Sequence, residues 1–419
     1  MKQLGIYILF LLVGISAAYA DDTRTQIFDP NFKTLQVKLE GNDYFPPIIV
    51  LGSDDRIRIS FDDLQEDLSY LRYSLVHCNA DWQPSDLLES EYVNGFNYAN
   101  IENYKFSTAT FCHYVHYSFA IPNENMQILK SGNYLVKVYP ENEPENVVLQ
   151  ARFSVSENAV SVGTSVSSRT DIDYNQSHQQ LKIDVSTRNY KVQDMYRDLK
   201  LIVSQNGRND NEVMITSPMM VGMNKATYDH NKDLIFPAAN EFRRIETVSE
   251  RTMSMGVVDI EFHEPYYHAR LRTDEVRANE PYSYDQTQLG RFTVRSADVD
   301  DSDNQADYYV THFTLNTGGK IEGGNIYIDG EFTNHLFTPA NLMKYDASTG
   351  CYINDMLLKQ GAYNYQYLFV PNGSTKGLTS VIEGDKYQTV NEYVVEVYNR
   401  QPSERYDRFI GFGIVYSGK

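Results

Sequence analysis

The sequence has little of several features that other protein classes need. It contains three cysteines and a single tryptophan, Trp82, in 419 residues. Three cysteines are too few to build a disulfide-based scaffold, even in an oxidising compartment. Cys78 and Cys112 are the one pair expected to meet, and only if their strands are neighbours. A Cys78–Cys112 disulfide is therefore a possibility that the sequence leaves open.

Basic residues are scarce relative to acidic ones. The chain has 37 Lys and Arg against 56 Asp and Glu, a formal net charge of −19 at pH 7. Such a surface repels phosphate backbones and anionic membrane surfaces. We therefore expect no nucleic-acid partner. The acidity favours solubility and allows steering toward a basic patch or pore.

Long apolar runs are lacking beyond the first residues. A basic start, an apolar stretch from Leu4 to Val13, and small residues at Ala18 and Ala20 predict a secretory signal peptide over residues 1–20. Cleavage would fall between Ala20 and Asp21, with no lipid-bearing cysteine after it. No later stretch approaches the roughly 20 apolar residues of a membrane helix. We expect an exported chain without direct membrane insertion.

Catalytic and metal-binding patterns are missing as well. No nucleophile elbow, zinc-protease helix, Walker loop or dinucleotide fingerprint occurs. His113 and His116 are three apart on a predicted strand and so face opposite sides, while His263 and His268 flank a predicted turn. Four Asp between residues 298 and 303 lack the Gly and Glu of a calcium loop. We predict no enzyme activity, no metal, no cofactor and no small-molecule substrate.

Period-two alternation of apolar and polar residues is present throughout, and helical periodicity is nearly absent. Turn signals separate the alternating runs, which predicts an all-β protein of tandem immunoglobulin-like or fibronectin-like β-sandwich domains. The runs of the first block are Thr34–Leu39, Ile48–Leu51, Arg56–Phe61, Leu68–Val76, His113–Phe119, Tyr134–Tyr139 and Val147–Val155.

Three domains are expected from chain length and composition. We predict an N-terminal sandwich over 21–156, a middle β-rich domain over 157–296, an acidic linker acting as a solvated hinge over 297–307, and a C-terminal sandwich over 308–419. Within the middle domain, residues 214–225 and 231–244 are poorly periodic, and we interpret them as long loops or edge strands.

The segment His77–Trp82 lies where a predicted strand passes into a long loop. A bulky indole beside turn-forming Asp and Asn residues has two possible roles. Trp82 either seals one end of the first sandwich or, with Phe96 and Tyr98 of the following loop, forms an exposed anchor for a partner. The sequence alone leaves both roles open.

The C-terminal block resembles the early-set immunoglobulin-like domains of glycogen-branching enzymes and starch-binding kinase subunits. The resemblance rests on Ile326–Asn334, Met343–Asp346, Gly350–Tyr352 and Gly361–Tyr367. Sugar-binding members carry a Trp after the motif's Asn, whereas His335 stands there in this chain. The resemblance thus implies the fold but not the sugar-stacking surface.

A second resemblance extends over nearly the whole chain. The segments that carry it are His77–Asp86, Glu91–Asn97, Phe262–Tyr266 and Tyr282–Phe292, which are similar to the plug proteins of the type IX secretion system of Bacteroidetes. Membership would imply a periplasmic, non-enzymatic protein. Such a protein binds and seals the periplasmic mouth of the outer-membrane β-barrel translocon. Its location at the outer membrane would depend on that protein partner.

Two other functional classes remain as alternatives. A secreted or surface glycan-binding protein is suggested by the C-terminal domain, and the lack of a Trp there counts against it. A periplasmic enzyme would need a deep pocket with convergent polar groups.

Overall fold

The computed structural model describes residues 22–65 and 67–418. The predicted signal peptide and its Ala20–Asp21 cleavage site lie outside the described residues. Strands dominate, and they form several separate sheets, so the predicted all-β, tandem-sandwich fold is confirmed. We name its parts the first, middle and third sandwiches. Within the described chain, no helix has the length and apolar character needed to cross a membrane.

The first sandwich contains the elements β1 Gln26–Ile27, β2 Phe32–Leu39, β3 Ile48–Val50, β4 Ile57–Asp63, β5 Leu71–Cys78, α1 Glu89–Tyr92, β6 Val93–Gly95, β7 Ala99–Asn100, β8 Tyr104–Phe106, β9 Val115–Ile121, β10 Met126–Ile128, β11 Gly132–Pro140 and β12 Leu149–Ser156. One sheet has the order β1-β12-β11-β5-β7, with β3 parallel to β12, and the other has the order β2-β4-β9-β8. Strands β6 and β10 form a separate two-stranded antiparallel sheet. Inward residues such as Ile57, Ile59 and Phe61 are fully buried, as the alternation requires.

The middle sandwich begins with β13 Ser161–Ser167, β14 His178–Ser186, β15 Leu199–Gln205, β16 Val213–Ile215, β17 Met220–Gly222, β18 Lys225–Tyr228, a 3₁₀ turn Lys232–Leu234 and β19 Ile235–Pro237. One sheet has the order β13-β14-β18-β17, and β19 also pairs with β14. Short strands therefore occupy the two poorly periodic stretches. Strands β15 and β16 start a second sheet that the end of the chain completes.

The third sandwich contains β20 Arg243–Glu246, β21 Val257–His263, β22 Tyr266–Leu271, β23 Asp274–Glu275, β24 Phe292–Val294, α2 Ser302–Gln305, β25 Tyr308–Asn316, β26 Gly324–Asp329, a 3₁₀ turn Glu331–Thr333, β27 Lys344–Asp346, β28 Cys351–Lys359 and β29 Gly361–Pro371. Its sheets have the orders β20-β29-β24 and β21-β22-β25-β28-β27. Strand β26 also pairs with β29, and β23 pairs with β25.

The last two strands, β30 Glu392–Asn399 and β31 Arg408–Tyr416, return to the middle sandwich. They complete its second sheet in the order β16-β15-β30-β31. Strand pairing thus differs from the predicted contiguous segments, because 243–294 pair with the third sandwich and 392–416 with the middle one. A Cβ at Gly411 would lie 2.7 Å from Val160 Cγ2, so glycine at this position lets β31 approach the residue that precedes β13.

The acidic segment 297–307 is docked onto the first sandwich rather than extended as a solvated hinge. The buried carboxylate of Asp307 accepts hydrogen bonds from the backbone amides of Phe111 at 2.7 Å and Cys112 at 3.0 Å. Lys105 Nζ donates to Asp301 at 3.0 Å. These carboxylates satisfy groups of the first sandwich, which explains why acidic composition does not mark a free linker here.

A buried charged cluster joins the first and third sandwiches. Lys359 Nζ of β28 donates to Asp62 Oδ2 of β4 at 2.6 Å, and both side chains are almost fully buried. The hydroxyl of Tyr308 donates to the same oxygen at 2.6 Å, and His116 Nδ1 lies 2.6 Å from Asp62 Oδ1. Lys359 also lies 4.1 Å from the centre of the Tyr114 ring. We call these five residues the Asp62 cluster.

Candidate partner-binding surface

The segment His77–Trp82 connects the first sandwich to the middle one. The backbone amide of Ala80 donates to Asp407 Oδ2 at 3.1 Å, and the amide of Asp407 donates to Asn79 Oδ1 at 3.0 Å. His77 is held by Ser85 Oγ at 2.8 Å and the Ser131 carbonyl at 3.0 Å. Burial lowers its pKa, which favours the neutral imidazole. This turn therefore links the first and middle sandwiches through hydrogen bonds.

Trp82 is half-buried at this junction. Its backbone is in the left-handed region, with φ of 61°, and its ring lies 4.1 Å from the guanidinium carbon of Arg152. The indole lines a cavity of about 230 Å³ to which all three sandwiches contribute residues. Arg152 is on β12, which β11 and β5 separate from β7. Trp82 therefore lies against the β12 side of this sheet, whereas Phe96 and Tyr98 precede β7 at its other edge.

Phe96 and Tyr98, in contrast, lie side by side and exposed. Phe96 is 73% exposed and Tyr98 49%, and their ring centres are 5.7 Å apart. Leu88, 68% exposed, and Leu129, 45% exposed, belong to the same part of the first sandwich. The backbone of Leu129 bonds to Tyr92, and Leu88 precedes α1. We call Leu88, Phe96, Tyr98 and Leu129 the aromatic edge.

The local sequence explains why these side chains point outward. The Asn97 side chain accepts from the Leu75 amide at 3.0 Å and donates to the Leu75 carbonyl at 2.8 Å. It therefore takes the place of a strand residue beside β5, and its two neighbours face away. Beneath them, Tyr92 is buried and donates to the same carbonyl at 3.1 Å. The aromatic edge is anchored rather than loose.

Glycine is required at position 95 of this edge. Gly95 has φ of 110°, and a Cβ there would lie 2.3 Å from the Asn125 carbonyl oxygen. An L side chain would be strained in that conformation and would also clash with backbone. Gly95 thus lets β6 pair closely with β10 and present Phe96.

Charged groups surround the aromatic edge. Arg72 lies 5.3 Å from the Tyr98 ring centre and pairs with Glu141 at 2.5 Å. On the other side, Glu91 pairs with Arg405 of the middle sandwich. A hydrogen bond from the Leu88 amide, followed by this Arg405 contact, lowers the pKa of Glu91. An apolar centre with a charged rim is the usual composition of a protein interface.

A second exposed aromatic pair spans two sandwiches. Phe111 of the first sandwich and Phe262 of the third have ring centres 4.4 Å apart and are 52% and 41% exposed. Both contact Tyr267. The sequence does not predict this pair, because Phe111 and Phe262 are 151 residues apart. The motif Phe262–Tyr266 was the available signal for it.

The two cysteines considered for a disulfide are free thiols in the structure, so the bond is not formed. Cys78 ends β5, whereas Cys112 lies in the loop that contacts Asp307 and packs with Tyr114 and Tyr308. Strand β5 and strand β9, which follows Cys112, belong to different sheets. Burial raises the pKa of each thiol to about 12.

The histidines have structural partners of their own. His116 is buried against Asp62, while His113 is exposed. His268 Nδ1 lies 2.9 Å from His312 Nε2, and His263 packs edge-on against His268. Over residues 22–65 and 67–418, no group of three or more His, Cys, Asp or Glu side chains has an arrangement suited to a metal ion.

The aromatic residues of the early-set motif are mostly internal. Tyr363, Tyr365 and Tyr367 of β29 are buried in the core of the third sandwich. His335 Nδ1 lies 2.9 Å from Asp329 Oδ1 and is not on a flat exposed surface. These four side chains are therefore unavailable for stacking on a sugar.

Known proteins give an independent view of the chain. Residues 32–157 match the family model described as "Type 9 secretion system plug protein 1st domain". This match spans the first sandwich and includes both Trp82 and the aromatic edge. No curated protein matches the chain at the significance required.

Among solved structures, the chain is similar to a hypothetical protein from Parabacteroides merdae ATCC 43184. The two share 43% identity with a TM-score of 0.92, over 94% of this chain and 99% of that one. An alkylpurine DNA glycosylase from Pseudomonas fluorescens shares 13% identity over 30% of each chain, with a TM-score of 0.17, which carries no information about fold. On the family match and the first-sandwich motifs, the chain belongs to the type IX secretion system plug protein family.

Proposed function

We propose that this protein is a non-enzymatic periplasmic plug. It binds and seals the periplasmic mouth of the outer-membrane β-barrel translocon of the type IX secretion system. The observation that carries the proposal is the family match to residues 32–157, the sandwich that bears the aromatic edge. Its place at the outer membrane then depends on the barrel.

The contacts between sandwiches support a plugging role. The Asp62 cluster joins the first and third sandwiches, and the Asn79–Asp407 contacts join the first and middle ones. Arg291 and Glu392 pair at 2.6 Å between the third and middle sandwiches. A body that fills a pore must resist deformation, and contacts between each pair of sandwiches restrict their relative motion.

The aromatic edge is the candidate anchor for the barrel. Large aromatic and aliphatic side chains at the centre of an interface contribute most of the affinity, and exposed charges contribute less. Salt at physiological strength screens exposed charges beyond roughly 8 Å. We therefore assign retention of the protein on the barrel to Phe96 and Tyr98, and its orientation there to the charged rim.

Of the two roles considered for Trp82, we propose the structural one. Its ring covers Arg152 at an internal junction, so Trp82 supports the shape of the body and does not itself contact the barrel. Substitution of Trp82 should then weaken binding only through loss of stability.

Recovery of the barrel on the tagged plug protein tests the proposal. A variant with Leu88, Phe96, Tyr98 and Leu129 changed to Ser should recover at least tenfold less barrel from solubilised outer membranes. The matched control changes the exposed Met219, Met220 and Met223 of the middle sandwich to Ser. Both must keep the wild-type circular dichroism spectrum. Equal recovery by both variants would refute the anchor assignment, and no barrel with the wild type would refute the partner.

A further inference from the structure

The Tyr398 hydroxyl forms a buried polar contact between the first and middle sandwiches. The Tyr398 hydroxyl of β30 lies 2.7 Å from Asn133 Oδ1 of β11 and 2.6 Å from Glu396 Oε2. Both the Asn133 oxygen and the Glu396 oxygen are placed to accept a hydrogen bond, but a hydroxyl has only one hydrogen to donate. Two such short contacts are both favourable only if one of the oxygens brings a proton of its own.

The Asn133 amide cannot supply that second proton. Its Nδ2 donates to the Asn79 carbonyl at 3.0 Å, and its Oδ1 accepts from Ser154 Oγ at 2.8 Å. Rotating the amide would direct Oδ1 at a carbonyl oxygen. The remaining proton carrier is Glu396.

We propose that Glu396 is protonated when the first and middle sandwiches are docked, and that its ionisation weakens their docking. The protonated carboxyl donates to Tyr398, which then donates to Asn133 across the interface. When Glu396 loses its proton to solvent, its carboxylate accepts the hydrogen bond of the Tyr398 hydroxyl, which is then no longer donated to Asn133. Two oxygens, of Tyr398 and Asn133, then face each other at the interface without a hydrogen between them.

The surroundings of Glu396 favour the neutral acid. On its own strand, Tyr398 is the hydrogen-bonded neighbour. The facing groups are Glu212, from the loop before β16, and Arg152 of β12. Burial is the main cause that raises the pKa of Glu396, to about 7, with Glu212 raising it and Tyr398 and Arg152 lowering it.

Most other charged groups at this interface and around the cavity have ion-pair partners; Glu212 is an exception, and burial raises its pKa while Arg152 lowers it. Lys200 of β15 pairs with Asp407 at 3.0 Å. The remaining pairs that line the cavity are Arg208 with Asp210, Arg291 with Glu392, Lys38 with Glu331, and His335 with Asp329. Arg152 instead bonds to the carbonyl and hydroxyl of Thr23, so it makes no direct ion pair with Glu396. Glu396 is therefore the carboxyl of this interface that both contacts Tyr398 and has a pKa raised to about 7.

The sign of the effect follows from the raised pKa. Between the ordinary value of 4.5 and about 7, the folded state keeps a proton that the unfolded state releases. Stability therefore falls as pH rises through this interval and levels off above it. Glu396 is partly exposed, so solvent screens part of the effect. We therefore expect about a tenfold change in the folding equilibrium constant rather than the larger change that the whole pKa shift would give.

A Glu396→Gln variant tests the proposal in the full mature chain. Its amide donates to Tyr398 at every pH, so between pH 4.5 and 7 the folding equilibrium constant of the variant should fall by a factor about ten times smaller than that of the wild type. Exposed Glu145→Gln is the control and should leave the decline unchanged. At pH 8, the amides of Ala80 and Asp407 should exchange hydrogen more slowly in the Glu396→Gln variant than in the wild type. An unchanged pH profile in that variant would refute the proposal.

Infrared spectroscopy gives a readout that does not depend on folding energetics. The wild type at pH 6 should show a protonated carboxylic-acid band that is absent from Glu396→Gln and retained by Glu145→Gln. Tyr398→Phe removes the bridging hydroxyl and should abolish the pH effect on Ala80 exchange. The absence of a difference band between wild type and Glu396→Gln would overturn the assignment even if the variant were unstable. Neither result depends on whether the protein acts as a plug.

Discussion

Removing the cation of the Asp62 cluster should separate the first and third sandwiches at lower denaturant concentration. The Lys359 side chain is 1% exposed and Asp62 is 0% exposed, with 2.6 Å between Nζ and Oδ2. Lys359 also donates to the Asp303 carbonyl at 2.6 Å. Lys359→Met leaves Asp62 buried without its main counter-charge.

The expected loss is about 3–5 kcal/mol, the range seen when one partner of a buried ion pair is removed. The control is Lys320→Met, which breaks the exposed Lys320–Glu322 pair at 3.0 Å and should cost less than about 1 kcal/mol. The double variant Asp62→Asn with Lys359→Met should lose less than the two single changes added together, since neither charge is then left alone.

Urea unfolding followed by circular dichroism measures these differences. Burial raises the pKa of Asp62, but Lys359 and His116 lower it more, so the net pKa is below the ordinary 3.8. The carboxylate thus contributes stability above pH 3.8 that is lost as pH falls through the lower folded value. Lys359→Met should show a weaker acid dependence there. A loss no larger than that of Lys320→Met would refute the role given to the buried pair.

Two further predictions concern the first sandwich. Gly95→Ala should destabilise the two-stranded β6–β10 sheet by about 1–3 kcal/mol, because the new Cβ clashes with backbone. It should also increase proteolysis near residue 95 more than an exposed Gly52→Ala control does. Native protein at pH 8 should react with a thiol reagent rapidly at the partly exposed Cys351 but not at Cys78 or Cys112, whose buried thiols have a pKa of about 12. Rapid labelling of all three thiols before unfolding would contradict the assigned burial.

The sequence predicted strand existence better than strand partnership. Apolar and polar residues alternate within Tyr134–Tyr139 and Arg56–Phe61, and this pattern can be read from each segment alone because successive side chains of a strand point to opposite faces. Pairing of Leu199 with Asn399 joins residues 200 apart, and only tertiary packing selects it. The same limit applies to Asp307. The acidic character of Asp307 predicted exposure to solvent. Its carboxylate instead accepts hydrogen bonds from backbone amides of a loop nearly 200 residues earlier.

The candidate surface was predictable in part. Phe96 and Tyr98 stand next to Gly95 and Asn97 in a loop, a context that favours exposed side chains. Trp82 could not be placed in the same way, because its partner Arg152 belongs to a distant strand. The exposed Leu88 and Leu129 were missed, since single leucines carry no pattern that distinguishes surface from core.

Permeability of the outer membrane tests the plug proposal most directly. A strain that retains the barrel but lacks this protein should become sensitive to large antibiotics that the outer membrane normally excludes. Wild-type protein and the Met219, Met220 and Met223 control should restore exclusion. The variant with Ser at the four aromatic-edge positions should not. Unchanged antibiotic exclusion in the deletion strain, with the barrel present and open, would contradict the proposed function.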